Sequence, residues 1–281
     1  MLKDLKITFI GPGVMAEAML SGIIKNKLTA PENILASGPL KDRNEYLKEK
    51  YNIRTFSDNN EAVKNANVVI LSVKPQGLEK VLEGLQGSVK KDALVLSIIA
   101  GASIAKISRV LQHEKVVRSM PNTPAQIGEG ITVWCCSPSV DEAQKNIAKS
   151  ILNAFGQEIF VDEEDYLDKA TALSGTGPAY VYLFMEAMVD AGVHLGFSRR
   201  ISEKLVTETL RGSVNYYDQD GMESQHLASL RNQVTSPGGT SAEAIYYLEK
   251  AGFRTAISRA VWAAYQRSRD LGQETDPHHP E

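Results

Sequence analysis

The chain has 281 residues, with 31 Lys and Arg against 34 Asp and Glu, and its formal charge of −3 is spread along its length. No broad attraction to nucleic acid or to a membrane surface follows. Hydrophobic residues at 43% and charged residues at 23% are ordinary for a globular protein of one large or two moderate domains, and they exclude extended disorder outside the tail. The longest charge-free apolar run, 93–105, falls short of the roughly 20 residues of a membrane-spanning helix. Residues 1–6 lead straight into a strand with no apolar signal core, so the expected compartment is the cytosol. Cys135 and Cys136 are adjacent, which suits neither a disulfide framework nor a cysteine metal site, and both are expected to be buried spectators.

In chain order, β-rich runs at 7–10, 34–37, 68–72, 94–98, 116–120, 131–135 and 158–161 alternate with helical patterns at 16–25, 41–50, 78–85, 104–111 and 141–155. That alternation predicts an α/β domain over 1–162, a doubly wound parallel sheet with crossover helices. From 163 to 271 the chain reads as helix, with breaks at 175–178, Gly196, Gly221 and 237–239. These helices are apolar on most faces, which predicts a second domain that pairs with another subunit. The tail, 272–281, has no apolar period and is expected to fray. His278 and His279 there have no third ligand nearby, so no metal site is expected.

The first strand runs into Gly11, Pro12, Gly13, Val14, Met15 and Ala16, a G-x-G-x-x-A fingerprint that opens a helix. Strand before and helix after is the context of a dinucleotide site: a tight turn at the first Gly, close pyrophosphate approach at the second, and phosphates on the helix N-terminus. About 20 residues on, Ser37 is followed by Gly38, Pro39, Leu40, Lys41, Asp42 and Arg43, with no acid at the strand end. A hydroxyl and two cations suit the 2′-phosphate of NADP, although an ordinary polar loop carries the same residues. Ser72, Val73, Lys74 and Pro75 end a buried strand, where open α/β sheets place ligands; Lys74 is either a solvated loop lysine or a nicotinamide-side or substrate group. Two glycine-rich stretches, 173–180 and 234–243, each precede an apolar helix and read as caps and turns, or as sites where free N–H groups hold a small carboxylate. In the second, Ser236, Gly238, Gly239, Thr240 and Ser241 are the candidate carboxylate binders.

Together these motifs resemble the pyrroline-5-carboxylate reductases, from about Ile7 to Leu271. The resemblance rests on residues 9–16, 72–75, 120–124 (Met-Pro-Asn-Thr-Pro), 174–180 and 235–240. It implies reduction of the cyclic imine 1-pyrroline-5-carboxylate by NADPH, with NADH also possible, and a Rossmann domain followed by a helical domain that interlocks in a homodimer. In many members such dimers form a ring of five. It further implies that Gly11, Pro12, Gly13, Val14, Met15, Ser37, Pro39, Asn59, Ser72, Val73, Lys74, Pro75 and Ala100 line the cofactor. Glu164, Gln233, Thr240 and Ser241 would lie at the substrate. Ser241 stands where the family usually has Thr, and Gln233 where some members have Asn.

Such a reaction needs hydride from nicotinamide C4 and a proton at the imine nitrogen, for which the protein supplies orientation and charge placement. That agrees with the lack of a Ser-His-Asp set, a carboxylate pair or a metal cluster in the sequence. His113, His194 and His226 sit in no motif loop and are expected to be structural. Ser241 is the expected catalytic hydroxyl, with the N–H groups of Gly239 and Thr240 on the substrate carboxylate. A β-hydroxyacid dehydrogenase should carry a helical Lys after its glycine-rich substrate loop, and the helix from Tyr180 has none. Another imine reductase and a non-catalytic dinucleotide sensor remain as alternatives.

Overall fold

The computed structural model describes residues 2–219 and 225–274. They fall into two compact units, Met1–Pro178 with the chain from Ala263 onward, and Ala179–Trp262. The first unit holds β1 (Ile7–Ile10), β2 (Ile34–Ser37), β3 (Arg54–Phe56), β4 (Val68–Leu71), β5 (Leu94–Ser97), β6 (Val116–Met120), β7 (Gly130–Cys136) and β8 (Gly156–Phe160). They form one sheet in the order β3-β2-β1-β4-β5-β6-β7-β8. Helices α1 (Val14–Lys25), α2 (Lys41–Tyr51), α3 (Asn59–Val63), α4 (Leu78–Leu85), α5 (Ile104–Leu111) and α6 (Glu142–Leu152) connect the strands. Every residue of β1, β2, β4 and β5 is buried, which is why they read as continuous apolar runs. Phe9, Met19, Leu20 and Phe155 belong to one core cluster, and Ile10, Val69, Leu82 and Val95 to another, so helices cover both faces. The expected doubly wound class is present, and its first six strands follow the order of a dinucleotide-binding Rossmann sheet.

Two details of the sheet depart from the expected elements. β3 and α3 have no counterpart among them: three residues on an edge and one and a half helical turns are too short to show a period. β7 runs antiparallel to β6 and carries β8 with it in parallel. The reason is length, since residues 121–129 hold only a 3-10 helix, Thr123–Ile127, and a crossover to a parallel neighbour needs a dozen residues or more.

The remaining helices are α7 (Tyr166–Ala170), α8 (Gly177–His194), α9 (Arg199–Tyr217), α10 (Leu227–Gln233), α11 (Thr240–Lys250) and α12 (Phe253–Glu274). The break expected at 175–178 narrows to one residue, Thr176, between a π-helical turn and the start of α8 at Gly177. A π-helical turn, Thr171–Gly175, carries α7 on toward α8, and the Thr176 N–H donates to the Thr171 carbonyl at 2.8 Å. The breaks at Gly196 and 237–239 are present, and Gly221 lies outside the described residues. The tail begins later than expected, because α12 continues to Glu274. Gly272 there packs on Gly101 so closely that a Cβ on Gly101 would sit 2.9 Å from its nitrogen. Residues 275–281, with His278 and His279, lie outside the described residues.

The compact unit extends to Pro178, past the boundary expected at 162, because the segment after β8 is anchored to the sheet. Arg118 on β6 is buried and pairs with Glu164 at 2.9 Å and Asp168 at 3.0 Å. Glu164 also accepts the Ile104 N–H at 2.8 Å, at the start of α5, and Asp168 accepts the Ser268 hydroxyl of α12 at 2.8 Å. In the second unit only Val189, Ser202 and Val206 are buried among the described residues, while Leu183, Leu195, Tyr247 and Trp262 are exposed. No helix of the described residues is long and apolar enough to cross a membrane.

Removing one partner from a buried ion pair leaves the other charges unsatisfied at a cost of about 3–5 kcal/mol. Arg118→Met is therefore expected to lower the free energy of urea unfolding by about that amount. A loss below about 1 kcal/mol, the scale of an exposed pair, would contradict the anchoring role.

Candidate active site

The fingerprint loop is shaped by what lies against it. Gly11 has φ +87°, and a Cβ there would fall 2.5 Å from Cγ1 of Val73. A Cβ on Gly38 would meet Cδ of Pro12 at 2.7 Å. The Ser72 hydroxyl donates to the Ile10 and Gly11 carbonyls at 3.0 and 2.9 Å, and the Gly11 N–H donates to the Ser37 carbonyl at 2.9 Å. Three loops, from the carboxyl ends of β1, β2 and β4, are thereby locked together at the point where the strand order reverses, the position open α/β sheets use for ligands. Residues 11–14, 38–40, 43–44 and 73–74 enclose a cavity of about 530 Å³. Gly13 is open, its virtual Cβ meeting nothing nearer than 3.9 Å, and no side chain caps α1. A tight turn, an open second glycine and uncapped helix N–H groups fit a pyrophosphate.

Of the residues expected at the cofactor, Gly11, Pro12, Gly13, Val14, Pro39, Val73 and Lys74 line this cavity. Met15 is half-buried and packs on the core cluster. Ser37 is fully buried, and its hydroxyl donates to Oδ1 of Asn59 at 2.7 Å. Ser72 supports the loop as described, Pro75 opens the 3-10 helix Pro75–Gly77, and Ala100 is half-buried on the loop after β5. Asn44, which the sequence did not single out, and Arg43, which it offered as a cation for the 2′-phosphate, are further wall residues. Nδ2 of Asn44 donates to the Gly38 and Phe56 carbonyls at 2.8 and 3.0 Å, while its buried Oδ1 has no partner. Arg43 faces the fingerprint loop, donating to the Pro12 and Gly13 carbonyls at 2.8 and 3.1 Å and pairing with Glu17 at 2.6 Å. Lys41 remains in solvent, 3.8 Å from Glu45.

Beneath the loop, the Glu17 carboxylate accepts hydrogen bonds from Lys50 at 2.9 Å, Tyr46 at 3.1 Å and Tyr51 at 2.8 Å. Burial alone would raise its pKa, but the hydrogen bonds from Lys50, Tyr51 and Arg43 outweigh burial and hold it at about 2.

The expected substrate residues are distributed over both units. Glu164 belongs to the sheet unit, where its carboxylate is held by Arg118 and the first turn of α5. Gln233, Ser236, Gly238, Gly239, Thr240 and Ser241 belong to the helical unit. Gln233 is exposed, its amide donating to Gln225 at 3.1 Å. The Gly239 N–H is not free as expected, because the turn made by Pro237 and Gly238 directs it to the Ser236 carbonyl at 3.0 Å. Gly239 is the N-cap of α11 and no side chain caps the helix, so Thr240, Ser241 and Ala242 offer its first unpaired N–H groups.

Cys135 is buried, and burial pushes its thiol up to about 12; burial also raises Cys136, which is half-buried. His113 is buried with Nε2 2.8 Å from the Ala93 carbonyl, and burial lowers its pKa. Among the described residues no three His, Cys, Asp or Glu are grouped to hold a metal ion.

A glycine cradle at the switch point of a Rossmann sheet, followed by an all-helical region, defines a nicotinamide-dependent oxidoreductase. The family model described as NADP oxidoreductase coenzyme F420-dependent matches residues 6–101, and that of pyrroline-5-carboxylate reductase dimerisation matches 164–271. The pyrroline-5-carboxylate reductase of Synechocystis is 41% identical over 96% of this chain and 100% of its own length, and that of Arabidopsis thaliana is 34% identical over 96% and 97%. The crystal structure of the Plasmodium falciparum pyrroline carboxylate reductase with NADP bound superposes with a TM-score of 0.87 at 33% identity, covering 97% of this chain and 100% of that one. The chain belongs to the pyrroline-5-carboxylate reductase family.

Gly11→Ala would force both a left-handed φ and a clash with Val73. It is expected to weaken NADPH binding by about tenfold or more, measured by titration of nucleotide fluorescence. Unchanged affinity would mean that the loop is not held by that contact.

Proposed function

We propose that the chain reduces 1-pyrroline-5-carboxylate to proline, with NADPH as the preferred reductant. The observation that carries this reading is the near full-length likeness to reductases of that name, which spans both the glycine cradle and the loop before α11. When bound, the dinucleotide supplies the hydride that the imine carbon accepts.

The chain's own groups provide the rest. The uncapped N–H groups of α1 would hold the dinucleotide's pyrophosphate, and Lys74 would serve its nicotinamide end. The N–H groups of Thr240 and Ser241, at the positive end of α11, hold the substrate carboxylate. Gln233, on the same unit, adds a further substrate contact. Anchored by its carboxylate, a five-membered ring keeps its nitrogen close to the loop hydroxyls, and the Ser241 hydroxyl donates the hydrogen bond or the proton there. A group placed in that way contributes about 10²–10⁴-fold when it transfers the proton. No acid ends β2 to pair with a ribose diol, and Lys41 follows within four residues of Ser37, which favours the 2′-phosphate of NADPH. The cytosol is the proposed compartment, in keeping with two free cysteines.

Assaying NADPH oxidation with the cyclic imine tests the activity. The expected result is turnover with a higher kcat/KM for NADPH than for NADH, a loss of at least about tenfold in kcat for Ser241→Ala, and retention in Ser241→Thr. No rate with either nucleotide would overturn the function, and full kcat in Ser241→Ala would overturn the assignment of Ser241.

The helical unit is proposed to form a homodimer, with rings of dimers as the larger assembly. Its exposed apolar side chains support this, since burying each contributes about 1.5–3 kcal/mol. Light scattering at micromolar concentration is expected to give at least a dimer mass, and a sharp monomer mass would refute the pairing.

A further inference from the structure

The sequence offered Arg43 as a cation for the 2′-phosphate, but its hydrogen bonds give it another task. Its Nε and one terminal nitrogen are committed to the carbonyls of Pro12 and Gly13, and that same nitrogen pairs with Glu17. In a planar trans peptide the C=O and N–H point in opposite directions. Holding the Gly13 carbonyl therefore sets the direction of the Val14 N–H, which belongs to the first turn of α1 and has no intrahelical partner. Among the described residues, α1's own Glu17 N–H shares that carbonyl, at 3.0 Å.

The guanidinium is itself held from several sides. The Glu17 carboxylate, on α1, receives Arg43, Lys50 and the hydroxyls of Tyr46 and Tyr51, all on α2. Lys50 also donates to the Tyr46 hydroxyl at 2.6 Å, and the Tyr46 ring lies 5.2 Å from the Arg43 guanidinium carbon. Glu17 and Arg43 have side-chain exposures of only 17% and 24%, so neither is the freely moving partner of an ordinary surface pair. An arginine held this firmly to backbone carbonyls is a strut between α2 and the phosphate loop.

Resting on the reading that this loop binds the pyrophosphate, we infer that Arg43, locked by Glu17, is a positioning residue of the pyrophosphate loop. It serves NADPH and NADH alike and does not select the 2′-phosphate. Arg43 cannot be swung toward a phosphate without giving up two backbone hydrogen bonds and its carboxylate partner. The two cofactors share the pyrophosphate and differ only at the ribose, so the strut's contribution is common to both.

Equilibrium binding of NADPH and of NADH to the full chain, by isothermal titration calorimetry, tests this with Glu17→Gln, Arg43→Gln and the double variant. Arg43→Gln is expected to raise both dissociation constants by the same factor, about tenfold, and Glu17→Gln to raise both by a smaller common factor. The double variant should be no weaker than Arg43→Gln, because the carboxylate acts through the guanidinium. A purely structural defect would lower the melting temperature without this nonadditive pattern. Weakening confined to NADPH, additive losses, or unchanged affinities would each overturn the inference. Should Arg43→Gln not fold, Glu17→Gln decides the matter: it leaves the guanidinium in place, and equal weakening of both nucleotides supports the strut while any other result overturns it. Failure of the wild-type chain to bind either nucleotide would overturn the dinucleotide reading itself, a result distinct from all of these.

Discussion

A buried guanidinium has to be neutralised where it stands, and Arg118 is that group. Taking it out of water costs several kcal/mol unless partners return it, so the acids that answer it are not free to leave. They come from beyond the sheet, Glu164 and Asp168, one helical turn apart just after β8. Glu164 is shared with the start of α5, where the helix macrodipole also favours a carboxylate, and Asp168 is shared with Ser268. One charge thus ties β6, α5, α7 and the far end of α12 into the sheet unit. This is why that unit includes residues which by composition belong to the helical region.

The cofactor cradle obeys a different constraint, steric exclusion. Gly11 approaches Val73, and Gly38 approaches Pro12, so closely that a single methyl group at either glycine would push two loops apart. Close approach leaves few carbonyls facing solvent, and Ser72, Asn44 and Arg43 supply the donors that satisfy those of residues 11, 12, 13 and 38. The cradle is rigid because packing and hydrogen bonding agree on one arrangement, which is what preorganised binding of a phosphate group requires.

The helical unit stands in contrast, with its large apolar side chains turned outward and almost nothing buried within a single chain. A unit of this kind cannot draw its stability from its own core. Under the proposed pairing, folding and association would be linked, and the apparent stability would depend on chain concentration. The dimerisation family match to 164–271 falls on a region whose first residues are held by the sheet unit through Arg118.

Residues near in sequence and governed by local rules were readable directly. The fully buried strands announced themselves as apolar runs, the fingerprint by glycines at fixed offsets, and the start of α11 by a double glycine before an apolar period. Short elements without a period, β3 and α3, were silent, as was the reversal of β7, which depends on how little chain separates two strands. The π-helical turn at 171–175 shortened the helix break that its glycines suggested to Thr176, because the hydroxyls of Thr171, Ser174 and Thr176 bond back to carbonyls up to five residues away. Sequence by itself determined the class of fold, the glycine-rich turn after β1 and the family. The tertiary structure alone decided which charge meets which carboxylate: Arg43 with Glu17, 26 positions apart, and Arg118 with Glu164, 46 positions apart. Pairing at such distances is set by the packing of whole elements, and no local propensity records it.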